Sequence, residues 1–314
     1  MSTVFLGTNA FAAAILTRLA ASGDHRPTLV VTRPDRPRGR GRRLASPPVA
    51  EVARGLGIAL AQPESVNDPQ SGEQIAQAAP TAVIVCAFGA MIKEPLLSTH
   101  PILNVHPSLL PRWRGAAPIE RAIMAGDAET GVSIMQLTAG LDSGPVCLAA
   151  SEPIRPDDSY GSLAPRLSEI GGELLVRALG EAPPFVEQAG EGVSYAEKIG
   201  SQDRLLDPTR PAVELERRVR ALHPHIGARA TLDDGTLLGV HRAALVQHEG
   251  SSGGDRVPPT AVGEALAIGV TAREDRLLLG CATGTLELLV VQPPGGRPMD
   301  SASYLRGHGL PGRR

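Results

Sequence analysis

Rings are scarce in this chain: Phe, Tyr and Trp together make up 3% of its 314 residues. Any core must therefore be built from Ala, Val, Leu and Ile. Cysteine is nearly absent as well. Cys86, Cys147 and Cys281 are widely spaced with no C-x-x-C pair, which argues against a disulfide framework or a cysteine zinc site and fits a reducing compartment. The eight histidines form no H-x-x-x-H spacing with carboxylates, so no metal is expected. The longest apolar run, Thr81 to Ile92, is too short to cross a bilayer. Met1 to Asn9 lacks the basic start and apolar stretch of a signal peptide. A cytoplasmic protein with no membrane association is expected. Lysine occurs only as Lys93 and Lys198, leaving Arg to carry the positive charge, as the codon usage of a GC-rich genome produces. The formal charge of −2 argues against wholesale coating of nucleic acid, but it conceals any local basic cluster.

What remains is an ordinary globular composition, 42% apolar and 20% charged, on a chain long enough for two domains. Val4-Phe5-Leu6-Gly7 reads as a strand leading into a helix near Phe11 to Ala21. A strand at Thr28–Thr32 and a helix at Pro48–Leu56 follow. Thr81–Cys86 and Ile102–His106 are near-continuous apolar runs. Such runs between helices indicate a parallel sheet covered on both faces. Gly115–Ala125 reads as a helix, Thr130–Leu137 and Val146–Ala150 as strands, and Ser159–Leu179 as a long amphipathic helix. Pro183-Pro184 and Gly190/Gly192 then break the pattern. Pro211–Leu222 reads as one more helix. Short alternating runs at 228–232, 237–246, 261–270, 276–281 and 285–292 follow it, and Gly250 to Pro259 reads as a flexible loop. Short strands at regular spacing predict a small β-barrel or sandwich. The expected fold is α/β: a doubly wound, Rossmann-like parallel-sheet domain over 1–190, a linker over 191–204, and a small β-barrel over 205–314.

The residues with chemical content cluster in Asn104-Val105-His106-Pro107-Ser108-Leu109-Leu110-Pro111-Arg112-Trp113-Arg114-Gly115. Asn104 and His106 lie two apart at the end of an apolar strand, so they leave the same face. The carboxyl end of a parallel strand is where open α/β sheets place ligands. An amide beside an imidazole suits acyl transfer: Asn stabilises an oxyanion, and His accepts a proton from an amine. A carboxylate candidate is Asp142, in Gly140-Leu141-Asp142-Ser143-Gly144, where flanking glycines allow a sharp turn. The same residues also fit a structural histidine and an ordinary turn. Taken alone, they define an acyl-transfer candidate.

NVHPSLLPRWRGAAPI at 104–119 resembles the folate-dependent formyltransferases, and its RWRGAAPI half resembles the branch acting on charged initiator tRNA. FLGT at 5–8, RPDRPRGRG at 33–41, CAFGAMI at 86–92, GDAETGVSIMQL at 126–137, GLDSG at 140–144, SYAEKI at 194–199 and LLVVQPPGGRPM at 288–299 extend the resemblance over nearly the whole chain. The resemblance implies 10-formyltetrahydrofolate as formyl donor, as a co-substrate, and methionyl initiator tRNA as acceptor and partner. It implies Asn104, His106 and Asp142 as catalytic residues. Ser108, Leu109, Leu110 and Pro111 would line the folate site, with Phe88, Gly89, Met91 and Ile92 as the apolar wall around the pterin. A monomer is expected. The alternatives are a sugar-nucleotide N-formyltransferase and an enzyme like glycinamide ribonucleotide formyltransferase.

Arg33 to Arg43 carries six Arg in all, at 33, 36, 38, 40, 42 and 43, against one Asp, Asp35, with Pro and Gly that exclude a regular helix. It reads as an exposed, mobile basic loop suited to phosphates. By resemblance Arg36, Arg38, Arg40, Arg42 and Arg43 would meet the acceptor end of tRNA, with Arg40 the foremost candidate. The C-terminal domain resembles the oligonucleotide-binding-type barrel that holds the rest of the tRNA. Arg204, Arg210, Arg217, Arg218 and Arg220 make a second cluster, which surface solubility explains equally well. Two departures stand out. Leu222-His223-Pro224-His225-Ile226-Gly227 replaces a segment that usually contains Trp, and Pro107 stands where a small residue is usual.

Overall fold

A computed structural model of the chain describes residues 2–38, 43–246, 267–273 and 275–308. In chain order the elements are β1 (Thr3–Gly7), α1 (Ala10–Ala21), β2 (Pro27–Val31), β3 (Arg36–Arg38), β4 (Arg43–Ala45), α2 (Pro48–Gly55), β5 (Ala59–Ala61) and α3 (Pro69–Gln77). Next come β6 (Ala82–Cys86), α4 (Leu96–Thr99), β7 (Ile102–His106), β8 (Arg114–Gly115), α5 (Pro118–Ala125), β9 (Glu129–Gln136), β10 (Val146–Pro153), α6 (Tyr160–Glu181) and β11 (Tyr195–Ala196). The remainder is α7 (Ala212–Leu222), β12 (Ala228–Thr231), β13 (Leu237–Leu245), β14 (Gly269–Arg273), β15 (Arg276–Gly280), β16 (Thr285–Gln292), β17 (Met299–Asp300) and α8 (Ser301–His308). Two compact units result. The first comprises Met1–Ile119, Ala128–Ile154 and Ser162–Lys198; the second comprises Glu120–Asp127, Arg155–Gly161 and Ile199–Arg314.

The first unit is built on a seven-stranded sheet in the order β10-β9-β7-β6-β1-β2-β5. β1, β2, β5, β6 and β7 run parallel, β9 pairs antiparallel with β7, and β10 pairs antiparallel with β9 at the edge. Every residue of β1, β6 and β7 is buried, the pattern of strands covered on both faces. That is why the apolar runs in the sequence do not alternate. Asn9 caps α1, its side chain accepting from Ala12 N at 3.0 Å, and Pro48 starts α2 where a missing N–H costs nothing. Because β1 has β2 on one side and β6 on the other, the strand order reverses there. The carboxyl ends of β1, β6 and β7 consequently border the crevice where such sheets take ligands.

The second unit holds an antiparallel sheet in the order β12-β13-β16-β15-β14, with β17 paired to β16. Its outer strands β12 and β14 approach one another, so the sheet curls as a half-barrel. Leu215, Val219 and Leu222 lie on one face of α7 at helical spacing. They are buried in a core with Leu238, Val240, Leu277, Leu279, Leu286, Leu288 and Val291. Tyr304 is the one ring in this core, so stability comes mainly from many aliphatic groups, each contributing roughly 1.5–3 kcal/mol on burial.

Several details differ from the sequence reading. The helix expected from Gly115 starts at Pro118, because Gly115 belongs to β8. The basic loop at 33–43 carries a short antiparallel pair, Arg36↔Ala45 and Pro37↔Leu44 among its partners. Within the stretch read as a linker, 191–204, β11 pairs in parallel with β8, and the first unit extends to Lys198. The loop at 250–259 and most of the strand expected at 261–270 lie outside the described residues, as do Arg40 and Arg42.

Candidate active site

β7 ends with Asn104, Val105 and His106, and the two-residue period of a strand turns Asn104 and His106 to one face. Both are buried, at 8% and 4% exposure. In register, Asn104 lies between Val85 and Met135, and His106 opposes Ser133. His106 Nε2 is 2.9 Å from the Trp113 carbonyl oxygen. A carbonyl only accepts, so Nε2 carries the proton in the neutral ring. That leaves Nδ1 as the nitrogen able to exchange a proton. Nδ1 lies 3.6 Å from Asp142 Oδ2, outside hydrogen-bond reach but close enough for a charge on one group to act on the other.

Asp142 completes the set. Its Oδ1 accepts from Asn104 Nδ2 at 3.3 Å, and its Oδ2 accepts from Gly115 N at 2.8 Å. The residue sits in the left-handed region at φ 43, a conformation that Asp tolerates better than most side chains but that still costs stability. The glycines around it are needed for closeness as well as for turning. A Cβ on Gly144 would lie 2.0 Å from the Gln136 carbonyl oxygen, and one on Gly115 would lie 2.7 Å from that of Ala196. Gly115 itself sits at φ 125, which excludes nearly every other residue.

Sequence reasoning missed a second layer around this set. After α6 the chain returns past the site. Val186 pairs with Val146, Ser194 Oγ accepts from Trp113 N at 2.9 Å, and the Ser194 carbonyl accepts from Arg114 N at 2.9 Å. Gln188 Nε2 donates to the Asp142 and Gly144 carbonyls at 2.9 and 2.7 Å, while its Oε1 accepts from Arg114 Nε and Nη2 at 3.0 and 2.7 Å. Nothing in the sequence marks a lone Gln between Pro and Gly as part of a site.

The segment after His106 is tightly tied. Ser108 is fully buried, and its hydroxyl donates to the Arg112 carbonyl at 2.6 Å. Ser133 Oγ donates to the Ser108 carbonyl at 2.8 Å and accepts from Leu110 N at 3.2 Å. Ser108 thus shapes the backbone turn, and half-buried Leu109, Leu110 and Pro111 supply the apolar surface. Leu109 packs over Gly131, where a Cβ would meet its Cδ2 at 2.5 Å. Phe88 and Ile92 lie in the buried cluster with Val4, Leu6 and Val85, so they are core as well as candidate wall. Gly89, at φ 73, offers its carbonyl to Arg33. Met91 is 70% exposed, far more open than Phe88 and Ile92.

In the basic segment, exposed Arg36 pairs with Glu64. Asp35 anchors the base of the pair of strands, accepting from Gln62 Nε2 at 2.7 Å and Ser46 Oγ at 2.9 Å. These hydrogen bonds, Gln62 foremost, hold the Asp35 carboxyl below its usual range. The second Arg cluster is largely committed to internal bonds. Arg218 donates to the Leu205 carbonyl at 2.7 Å, Arg220 pairs with Glu216 at 2.6 Å, and Arg204 donates to the Ile226 carbonyl at 2.8 Å. Among the described residues, no group of three His, Cys, Asp or Glu is arranged to hold a metal ion, and no helix is long and apolar enough to cross a membrane.

Residues 1–179 match the formyl transferase family model, and residues 198–309 match that of the formyl transferase C-terminal domain. A methionyl-tRNA formyltransferase of Myxococcus xanthus is 44% identical over 98% of this chain and 95% of its own length. One from Gluconobacter oxydans is 40% identical over 99% of this chain and 98% of its own. Among solved structures, HypX from Aquifex aeolicus in complex with tetrahydrofolic acid superposes with a TM-score of 0.63 at 18% identity, covering 99% of this chain and 47% of HypX.

Proposed function

The chain belongs to the formyl transferase family, and on that premise we propose that it transfers the formyl group of 10-formyltetrahydrofolate to the α-amino group of methionyl initiator tRNA. The observation that carries this reading is the buried set of Asn104, His106 and Asp142 at the carboxyl end of β7. Similarity to enzymes of that name over the full chain length supports the choice of acceptor.

The chemistry follows from the geometry. The amine lone pair attacks the formyl carbon, and the carbonyl electron pair moves onto oxygen. Asn104 Nδ2 has two N–H groups and gives one to Asp142, so the other is available to that oxyanion. His106, with Nε2–H fixed on Trp113, exchanges a proton through Nδ1. When the C=O re-forms, the bond to folate N10 breaks. N10 takes up a proton while the amine loses one, and Asp142 orients the groups that carry it. Leu109, Leu110 and Pro111 offer apolar surface for the folate, and Phe88, Met91 and Ile92 the wall around its pterin. The basic segment 36–43 would take the phosphates of the acceptor end, and the second unit the rest of the tRNA. The protein is read as a cytoplasmic monomer.

Radiolabelled formyl transfer tests the reading on charged initiator tRNA, elongator tRNA, glycinamide ribonucleotide and an amino-sugar nucleotide. Transfer to the initiator tRNA is expected. Transfer to one of the two nucleotides in its place overturns the assignment.

A further inference from the structure

We propose that Gln188 is a positioning residue for formyl transfer, holding Asp142 in the one backbone conformation that presents its carboxylate to both Asn104 and His106. Its kinetic arm rests on the formyl-transfer reading. Asp142 has φ 43, which a non-glycine residue does not keep without outside ties. Two ties hold it. Gly115 N reaches Oδ2 at 2.8 Å, and Gln188 Nε2 reaches the Asp142 and Gly144 carbonyls at 2.9 and 2.7 Å. Those two carbonyls bracket the reacting end of the 140–144 turn.

The orientation of the Gln188 amide is dictated by its neighbours. Its two N–H groups face two carbonyls, and its oxygen faces the Arg114 guanidinium at 2.7 and 3.0 Å. The reversed amide would set an oxygen against two oxygens and an NH2 against a cation. Arg114 precedes Gly115, whose N–H holds Oδ2. Gln188 therefore closes a ring of contacts, joining the side chain before the Asp142 donor to the backbone of Asp142 itself. The carboxylate is gripped from the 114–115 side, and the peptide that carries it from the 188 side. With the peptide free to leave the left-handed region, Oδ1 loses Asn104 and Oδ2 loses its place 3.6 Å from His106 Nδ1.

Gln188→Ala and Gln188→Glu test this. Glu keeps an oxygen for Arg114 but has no donor for the two carbonyls, so both variants should lower kcat roughly tenfold to a hundredfold, as small misplacements of reacting groups do. KM for folate and for tRNA should stay within about twofold of wild type. In an Asp142→Ala background, Gln188→Ala should cause no further loss, since the group it positions is gone. Wild-type kcat in Gln188→Ala, retained activity in Gln188→Glu, or fully additive losses with Asp142→Ala would overturn the proposal. A second measurement does not depend on the acceptor: a crystal structure of Gln188→Ala. Asp142 still at its left-handed φ with Oδ2 on Gly115 N would also sink it. If wild-type protein formylates none of the acceptors, the functional reading fails, and the crystal structure still decides the role of Gln188.

Discussion

His106 has two ring nitrogens with different fates. Nε2 is occupied by the Trp113 carbonyl at 2.9 Å, whereas Nδ1 looks toward Asp142. Asn104 divides its amide similarly, one N–H to Asp142 and one left over. Neither side chain is explained by packing alone, since a buried amide or imidazole half satisfied by neighbours is costly unless a substrate completes it. Asn104→Ala and His106→Ala should each lower formylation by about a hundredfold or more while the circular dichroism spectrum stays that of wild type. Near-normal rates in either variant would remove that residue from the mechanism. Val105, between them, faces the opposite side of the sheet and is buried at 1% exposure. A shift of one residue in β7 would exchange its place with theirs, so the register with β6 and β9 is itself part of the site.

At the level of elements, the short pair β3 and β4 has its base fixed by Asp35, Gln62 and Ser46. Arg36 is 64% exposed at its side chain and already faces Glu64, an exposed pairing of small worth that a phosphate would displace. Arg36→Ala and Arg40→Ala should therefore raise KM for tRNA roughly threefold to tenfold at moderate salt, with kcat and folate KM unchanged, and the difference should shrink as salt rises. A salt-independent defect, or one confined to kcat, would count against phosphate contact. The elements differ in how far the sequence announces them. β1, β6 and β7 are apolar runs, and the Ala/Leu-rich stretch after β1 reads as a helix. β8 and β11 are two residues each and exist only because Arg114 and Tyr195, far apart in the chain, lie side by side. No local pattern encodes that pairing, and for the same reason Gln188 stayed hidden. Asn104 and His106 were legible because spacing on one strand fixes their common face. Asp142 was marked only by the glycines that its tight turn requires.

Across the whole molecule, titration connects the departure at 222–227 with stability. His223 is next to His241, ring centroids 6.0 Å apart and edge-on, and its Nδ1 is buried without a hydrogen-bond partner among the described residues. His241 Nε2 lies 2.8 Å from Gln292 Oε1. His225 is 2.9 Å from Glu120 and stacks on Tyr160 at 3.7 Å. Burial first, and then the neighbouring His241 and His225, hold the His223 pKa below its ordinary value of 6.5. The sign follows from proton linkage. In the folded protein His223 resists a proton that the unfolded chain accepts, so the unfolded state binds more protons as pH falls below about 6.5. Stability present at neutral pH is then lost progressively on acidification, down to the folded-state pKa. Wild-type protein should melt at a lower temperature at pH 5.5 than at pH 7.5. His223→Gln, which keeps a polar side chain but cannot charge, should show a smaller drop over the same interval by calorimetry. Equal drops in the two proteins would mean that the acid sensitivity lies elsewhere, with carboxylates such as Asp203, where burial opposes but the bonds from Arg121 and Gly200 N and the nearby arginine charges together lower the pKa, and Glu287, which its hydrogen bond from Arg276 holds below the usual range. Those groups lose stability only near pH 4 and below, so the position of the acid limb separates the two sources. A limb that begins near pH 6.5 and is flattened by His223→Gln belongs to the histidine cluster of the second unit.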